Sequence, residues 1–113
     1  MNTNSTRYFS SKQEKQVAKI VNGKLQPNSG ATLFSKGDIK TSHWLFEAKT
    51  CMKEQQQFTI KKEWLEKLKQ ESFSMRKDFF ALVFNFGETN AKNYYIIDEK
   101  TFTQILETLE EME

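Results

Sequence analysis

Asp38, Glu47 and Lys49 are the residues whose types and spacing could do chemistry. Asp38 follows Gly37 at the start of one short apolar stretch, and the triplet Glu47-Ala48-Lys49 closes the next, Trp44–Lys49. Side chains along a strand alternate between faces, so Glu47 and Lys49 share one face while Phe46 and Ala48 take the other. A turn near Thr41-Ser42-His43 returns the chain antiparallel and carries Glu47 and Lys49 back towards Asp38. Two carboxylates and an ammonium converging in this way suit a hard divalent cation and a water molecule. The plainer reading makes Asp38 a turn residue and Glu47–Lys49 a surface ion pair. Glu47 resists it, because its segment is otherwise apolar enough to be a core strand, and a buried carboxylate is costly unless paired, protonated or metal-bound.

Glu14 has two readings that can hold together. Ser11 and Glu14 stand in Ser-x-x-Glu spacing, a capping box at the start of a helix, and Glu14 could also supply a third carboxylate to the same cation. His43 is the only histidine, which removes a His-based zinc site and argues against a histidine general base. Cys51, the only cysteine, has no partner for a disulfide and reads as a small buried hydrophobe. No phosphate-binding glycine loop or dinucleotide fingerprint is present, so no nucleotide cofactor is expected.

The elements that must position these residues follow from periodicity. Residues 9–21 read as an amphipathic helix with Val17, Ile20 and Val21 on its apolar stripe, stopped by Asn22-Gly23. Residues 24–36 read as strand and loop around the turn-forming Pro27-Asn28-Ser29-Gly30, and two strands follow near 38–41 and 43–50. Thr59 could cap a helix over about 60–72 that carries Ile60, Trp64, Leu65 and Leu68 on one face. Phe79–Phe86 is nearly continuously apolar, as a strand covered on both faces would be, and Tyr94–Ile97 reads as its hairpin partner. Asp98 caps a last helix with Phe102, Ile105, Leu106 and Leu109. The order α-β-β-β-α-β-β-α predicts a single domain over 1–113 of the α/β or α+β class, a central mixed sheet flanked by helices, with residues 1–7 a polar arm and the strand at 43–50 well buried.

Charged residues make up 28% of the chain and the net charge is +2. Glu107, Glu110, Glu111 and Glu113 crowd the last seven positions, and without those four the 17 bases face only 11 of the 15 acids. A basic body with an acidic last helix suggests an anionic partner docking away from that helix, although an ordinary surface with one solvated acidic helix accounts for the charge equally. No apolar run reaches the roughly 20 residues of a membrane span. The polar N-terminus, lacking an apolar core of a leader, and the lone cysteine lead us to expect a cytoplasmic protein.

The series Ser11-Lys12-Gln13-Glu14, Gln26-Pro27-Asn28-Ser29-Gly30-Ala31, Lys36-Gly37-Asp38, Glu47-Ala48-Lys49-Thr50 and Lys61-Lys62-Glu63-Trp64-Leu65, in that order, resembles the PD-(D/E)XK nuclease superfamily and, within it, Holliday-junction resolvases of the phage and archaeal type. Gly37 stands where the superfamily motif has proline, and the carboxylate after it is kept. The resemblance implies a restriction-endonuclease-like core and Mg²⁺-dependent hydrolysis of phosphodiester bonds in branched DNA, with Mn²⁺ able to substitute. It implies Asp38 and Glu47 as direct metal ligands aided by the Ala48 carbonyl, with Glu14 completing the set. Lys49 would steady charge on the phosphate and Ser29 would approach the scissile backbone. It implies a homodimer, since a four-way junction offers two strands to cut symmetrically, and the cytoplasm of a bacterial host for a phage product.

DNA contacts are expected to be directed at phosphates and to come from Arg7, Lys12, Lys24, Lys36, Lys40, Lys53, Lys61 and Lys62, with no base-reading motif. The alternatives are a nuclease of the same superfamily with another preference (nickase, flap or restriction-like) and a DNA-binding module that does not cut.

Overall fold

The alternating segment Trp44–Lys49 and the continuous apolar segment Phe79–Phe84 lie side by side near the centre of a five-stranded mixed sheet. The computed structural model describes residues 6–25, 38–51, 53–87 and 92–112, with residues 6–11 and 38 described through their backbone alone. The elements are α1 (Thr6–Val21), β1 (Lys24–Leu25), β2 (Asp38–Lys40), β3 (Trp44–Lys49), α2 (Lys62–Ser74), β4 (Phe79–Phe84), β5 (Tyr94–Ile96) and α3 (Glu99–Glu111). The strands lie in the order β1-β2-β3-β4-β5, and every pairing is antiparallel except β3–β4. A parallel pair needs a long crossover, and α2 supplies it. The fold is α+β.

Alternation along β3 sorts its side chains between two cores. Phe46 joins Ile39, Ala81 and Val83 under Val17 of α1, with Trp44 and Ala48 packed alongside. Leu45 joins Phe80 and Leu82 under Leu68 of α2, with Trp64 and Leu65 alongside. The two helices therefore cover opposite faces of the sheet. Each fully buried Val, Leu or Ile contributes roughly 1.5–3 kcal/mol. β3 is the middle strand and three of its six residues are buried, as its sequence requires of a central strand.

Local chemistry explains several element ends. Asn22 takes a left-handed φ of 55° and the Gly23 N–H donates to the Ala18 carbonyl at 2.9 Å, closing α1. A Cβ on Gly23 would stand 2.8 Å from Ile39 Cγ2, so only glycine lets α1 turn this closely over β2. Asp98 accepts from the Thr101 N–H at 2.9 Å and caps α3 as expected.

Other expectations fail. α1 starts at Thr6, which puts Ser11 and Glu14 inside the helix, where backbone N–H groups already have partners and no capping box can form. It also extends helix into the segment expected to be an arm. Ile20 is 75% exposed and leaves the apolar stripe to Gln13, Val17, Ala18 and Val21. α2 starts at Lys62, with Lys61 as an extended cap residue lacking a side-chain bond, so Thr59 caps nothing. α3 alone among the three helices has no extended packing against the sheet.

Candidate active site

The turn Thr41-Ser42-His43 sets the geometry. Trp44 N–H donates to Thr41 Oγ1 and Thr41 N–H to the Trp44 carbonyl, both at 3.0 Å, which closes a tight β2–β3 connection. Lys77 Nζ donates to the Thr41 carbonyl at 2.7 Å, and His43 Nδ1 meets Asp78 Oδ2 at 2.7 Å, so the turn is tied to the entry of β4. His43 is exposed and serves that turn. The resulting register opposes Asp38 to Glu47, Ile39 to Phe46 and Lys40 to Leu45. Directly opposed positions in an antiparallel pair have Cβ atoms about 4.5–5.5 Å apart.

Glu47 is 4% exposed. Its Oε2 lies 3.9 Å from Lys49 Nζ, one face of the strand carrying both, as alternation requires. At that separation the two charges attract without forming a hydrogen bond. The Lys49 ammonium also stands 4.4 Å from the centroid of the Trp64 ring on α2, a cation–π contact that holds the long side chain over the sheet. Lys61 Nζ approaches the same ring at 5.8 Å.

Beside Lys49 runs an aromatic wall. Phe84, its register partner on β4, stacks on Phe58 at 4.7 Å between centroids, and Phe58 reaches Trp64 at 6.3 Å. Phe84 also meets Tyr94 of β5 at 5.6 Å. The wall was not expected from sequence, because its members come from a loop, a helix and two strands.

The backbone of Lys49 is held from the other side. Gln13 Nε2 donates to the Lys49 carbonyl at 2.8 Å and to Asn93 Oδ1 at 3.2 Å, and Asn85 Nδ2 donates to the same Asn93 oxygen at 3.2 Å. Gln13 is 2% exposed and its Oε1 accepts no hydrogen bond from the described residues.

Glu14 lies one residue along, half-buried on the helix that covers the opposite face, and burial raises its carboxyl pKa. Burial likewise pushes up the Cys51 thiol, which is buried as its reading required. Ala48 pairs with Val83 and packs towards α1. Lys12, Lys24, Lys53, Lys61 and Lys62 are exposed and Lys40 partly so, while Arg7 belongs to the first turn of α1. Lys24 and Lys40 are opposed in the β1–β2 register and, with Lys77, line an open cleft of about 530 Å³. Like charges so opposed repel unless an anion lies between them. Ser29 and Lys36 lie outside the described residues.

Glu47 and Lys49 thus come together, with the Asp38 position opposite them, while Glu14 sits on the helix across the sheet. Among the described residues, no group of three His, Cys, Asp or Glu side chains gathers to hold a metal. The described residues also contain no helix long and apolar enough to cross a membrane. No family model matches the chain, and neither a curated protein nor a solved structure matches it.

Proposed function

We propose that the chain is a metal-dependent endonuclease of the PD-(D/E)XK kind, acting on branched DNA and best suited to four-way junctions. The observation that carries the proposal is the carboxylate of Glu47, 4% exposed in the central strand, with Lys49 Nζ 3.9 Å away and Asp38 opposite it in register. A carboxylate buried in a central strand beside an ammonium on the same face is the pairing that a cation-assisted phosphate chemistry needs.

The donors are oxygen atoms, which fits Mg²⁺ or Mn²⁺ and not a thiolate- or imidazole-seeking metal. Glu47, Asp38 and the Ala48 carbonyl would hold the ion, while Glu14, on the helix across the sheet, is not placed to join them. Bound there, it supplies Lewis-acid polarisation of a phosphoryl oxygen and a more acidic water. Lys49 neutralises charge building on the scissile phosphate, and Trp64 fixes its ammonium for that task. Gln13, through the Lys49 carbonyl, fixes the end of the strand that carries both groups. The exposed lysines on α2 and the β1–β2 edge attract the phosphate backbone without reading bases.

The test is cleavage of a labelled four-way junction and a matched linear duplex, in Mg²⁺ or EDTA, by wild type and Glu47→Gln. Paired symmetric nicks on the junction alone, lost with EDTA and with the substitution, are expected. Equal cutting of both substrates removes the junction preference. Tight binding with no cutting in either Mg²⁺ or Mn²⁺ overturns the catalytic reading and leaves a DNA-binding module.

A further inference from the structure

α3 presents an apolar stripe that the rest of the described structure does not cover. Phe102, Ile105, Leu106, Leu109 and Met112 are 39–74% exposed, and the helix has no extended packing against any other element. Tyr95, 38% exposed, adjoins them, so large apolar side chains cluster on this one face. The stripe borders a groove of about 760 Å³ between α3 and the end of β5, lined by Tyr95, Ile97, Phe102, Leu106 and Leu109.

The flanking charge excludes two kinds of occupant. Glu107, Glu110 and Glu111 edge the stripe, so an anionic lipid surface or a nucleic acid would be repelled. The sequence of the stripe points to a third kind. Phe102, Ile105, Leu109 and Met112 follow the three-four-three spacing of a coiled-coil seam. The inner four residues are also symmetric about the midpoint between Ile105 and Leu106, so in an antiparallel self-pair Phe102 meets Leu109 and Ile105 meets Leu106. The same symmetry brings Lys100 to Glu111. A parallel pair would instead stack the acidic ends on each other.

The helix dipole adds an independent argument. The last turn of α3 holds acids and no base, a combination the partial negative charge of a helix C-terminus disfavours. An antiparallel partner relieves it with its own helix N-terminus and Lys100.

We propose that α3 is the interface of a two-fold dimer, pairing antiparallel with α3 of a second copy about the Ile105–Leu106 midpoint, each stripe entering the other's groove. An isologous contact of this kind closes on itself and gives two equivalent sites.

The test is sedimentation equilibrium of the full chain without DNA, from about 1 to 100 µM, for wild type, Leu109→Glu, Lys100→Glu and the double variant Lys100→Glu/Glu111→Lys. Wild type should reach twice 13.3 kDa. Leu109→Glu should weaken dimerisation at least about tenfold while keeping the wild-type circular dichroism, since the residue is 58% exposed. Lys100→Glu should also weaken it, and the double variant should restore it. A wild type that stays monomeric, a dimer indifferent to Leu109→Glu, or a charge swap that fails to rescue overturns the proposal. The proposal does not use the cleavage chemistry. A dimer that cuts no DNA keeps it and removes the nuclease reading, and a monomer that cuts does the reverse.

Discussion

Lys49 Nζ stands 3.9 Å from Oε2 of Glu47, an ammonium 29% exposed above a carboxylate 5% exposed by side chain. The two differ in how they meet solvent, and the proposed reaction would use that difference for separate roles. Lys49 remains reachable from outside, as a group contacting a phosphate must be. Glu47 is buried in the middle strand of the sheet, on the face that α2 covers.

Glu47→Gln should therefore separate activity from stability. The amide keeps the volume and removes a buried charge, so junction cleavage should fall at least about a hundredfold, while the melting temperature stays within about 4 °C of wild type. Single-turnover cleavage and a thermal melt on the same preparation check both. A large loss of stability would mean that the carboxylate serves the fold.

Trp64 should couple to Lys49. Trp64→Leu removes the ring under the ammonium and Lys49→Met removes the cation. A double-mutant cycle in urea should give a coupling of about 0.5–1 kcal/mol from the cation–π contact. A coupling near zero would mean that the ring only fills space.

Gln13 should matter far beyond its own helix. Gln13→Ala leaves the part-buried Lys49 carbonyl short of its side-chain donor, while Asn93 Oδ1 keeps the bond from Asn85 Nδ2. That should cost about 1–3 kcal/mol, read from the urea midpoint at unchanged slope.

Much of this layout was legible in the chain, and what was not has a common cause. Glu47 and Lys49 sharing a face, the return towards Asp38, the buried middle strand and the Asp98 cap all rest on near neighbours in sequence, where alternation and turn chemistry act directly. The Ser11–Glu14 capping box failed because the helix begins upstream at Thr6, which leaves both residues in its interior. Trp64 over Lys49 and Gln13 under it were invisible, because each depends on how a helix lands on the sheet. Ile20 was misplaced for the same reason: two neighbouring apolar positions on α1 compete for the sheet, and packing chose Val17 and Val21.

Two carboxyls give opposite dependences on pH. Burial raises Glu14, so its contribution is full below the unfolded value near 4.3 and lost as pH rises through the folded value. Glu14→Gln should therefore stabilise at neutral pH and make no difference in acid. The Thr101 hydrogen bonds and nearby lysines lower Asp98, whose contribution is present above the unfolded value near 3.9 and lost as pH falls through the folded one. Asp98→Ala should cost about 1 kcal/mol at pH 7, shrinking towards nothing in strong acid. Urea melts at a series of pH values measure both slopes.

The parallel pairing of β3 with β4 also fixes the order in which this chain can assemble. Asp38 and Glu47 meet through a hairpin, a local event that takes about 1–10 µs. The walls that bury Glu47 come from β4 and α2, and the β4 wall is complete only when synthesis has passed Phe84, a few seconds later at about 5–20 residues per second. During that interval the acidic pair is an open hairpin in water, fully hydrated. Closure of the crossover then moves Glu47 out of water.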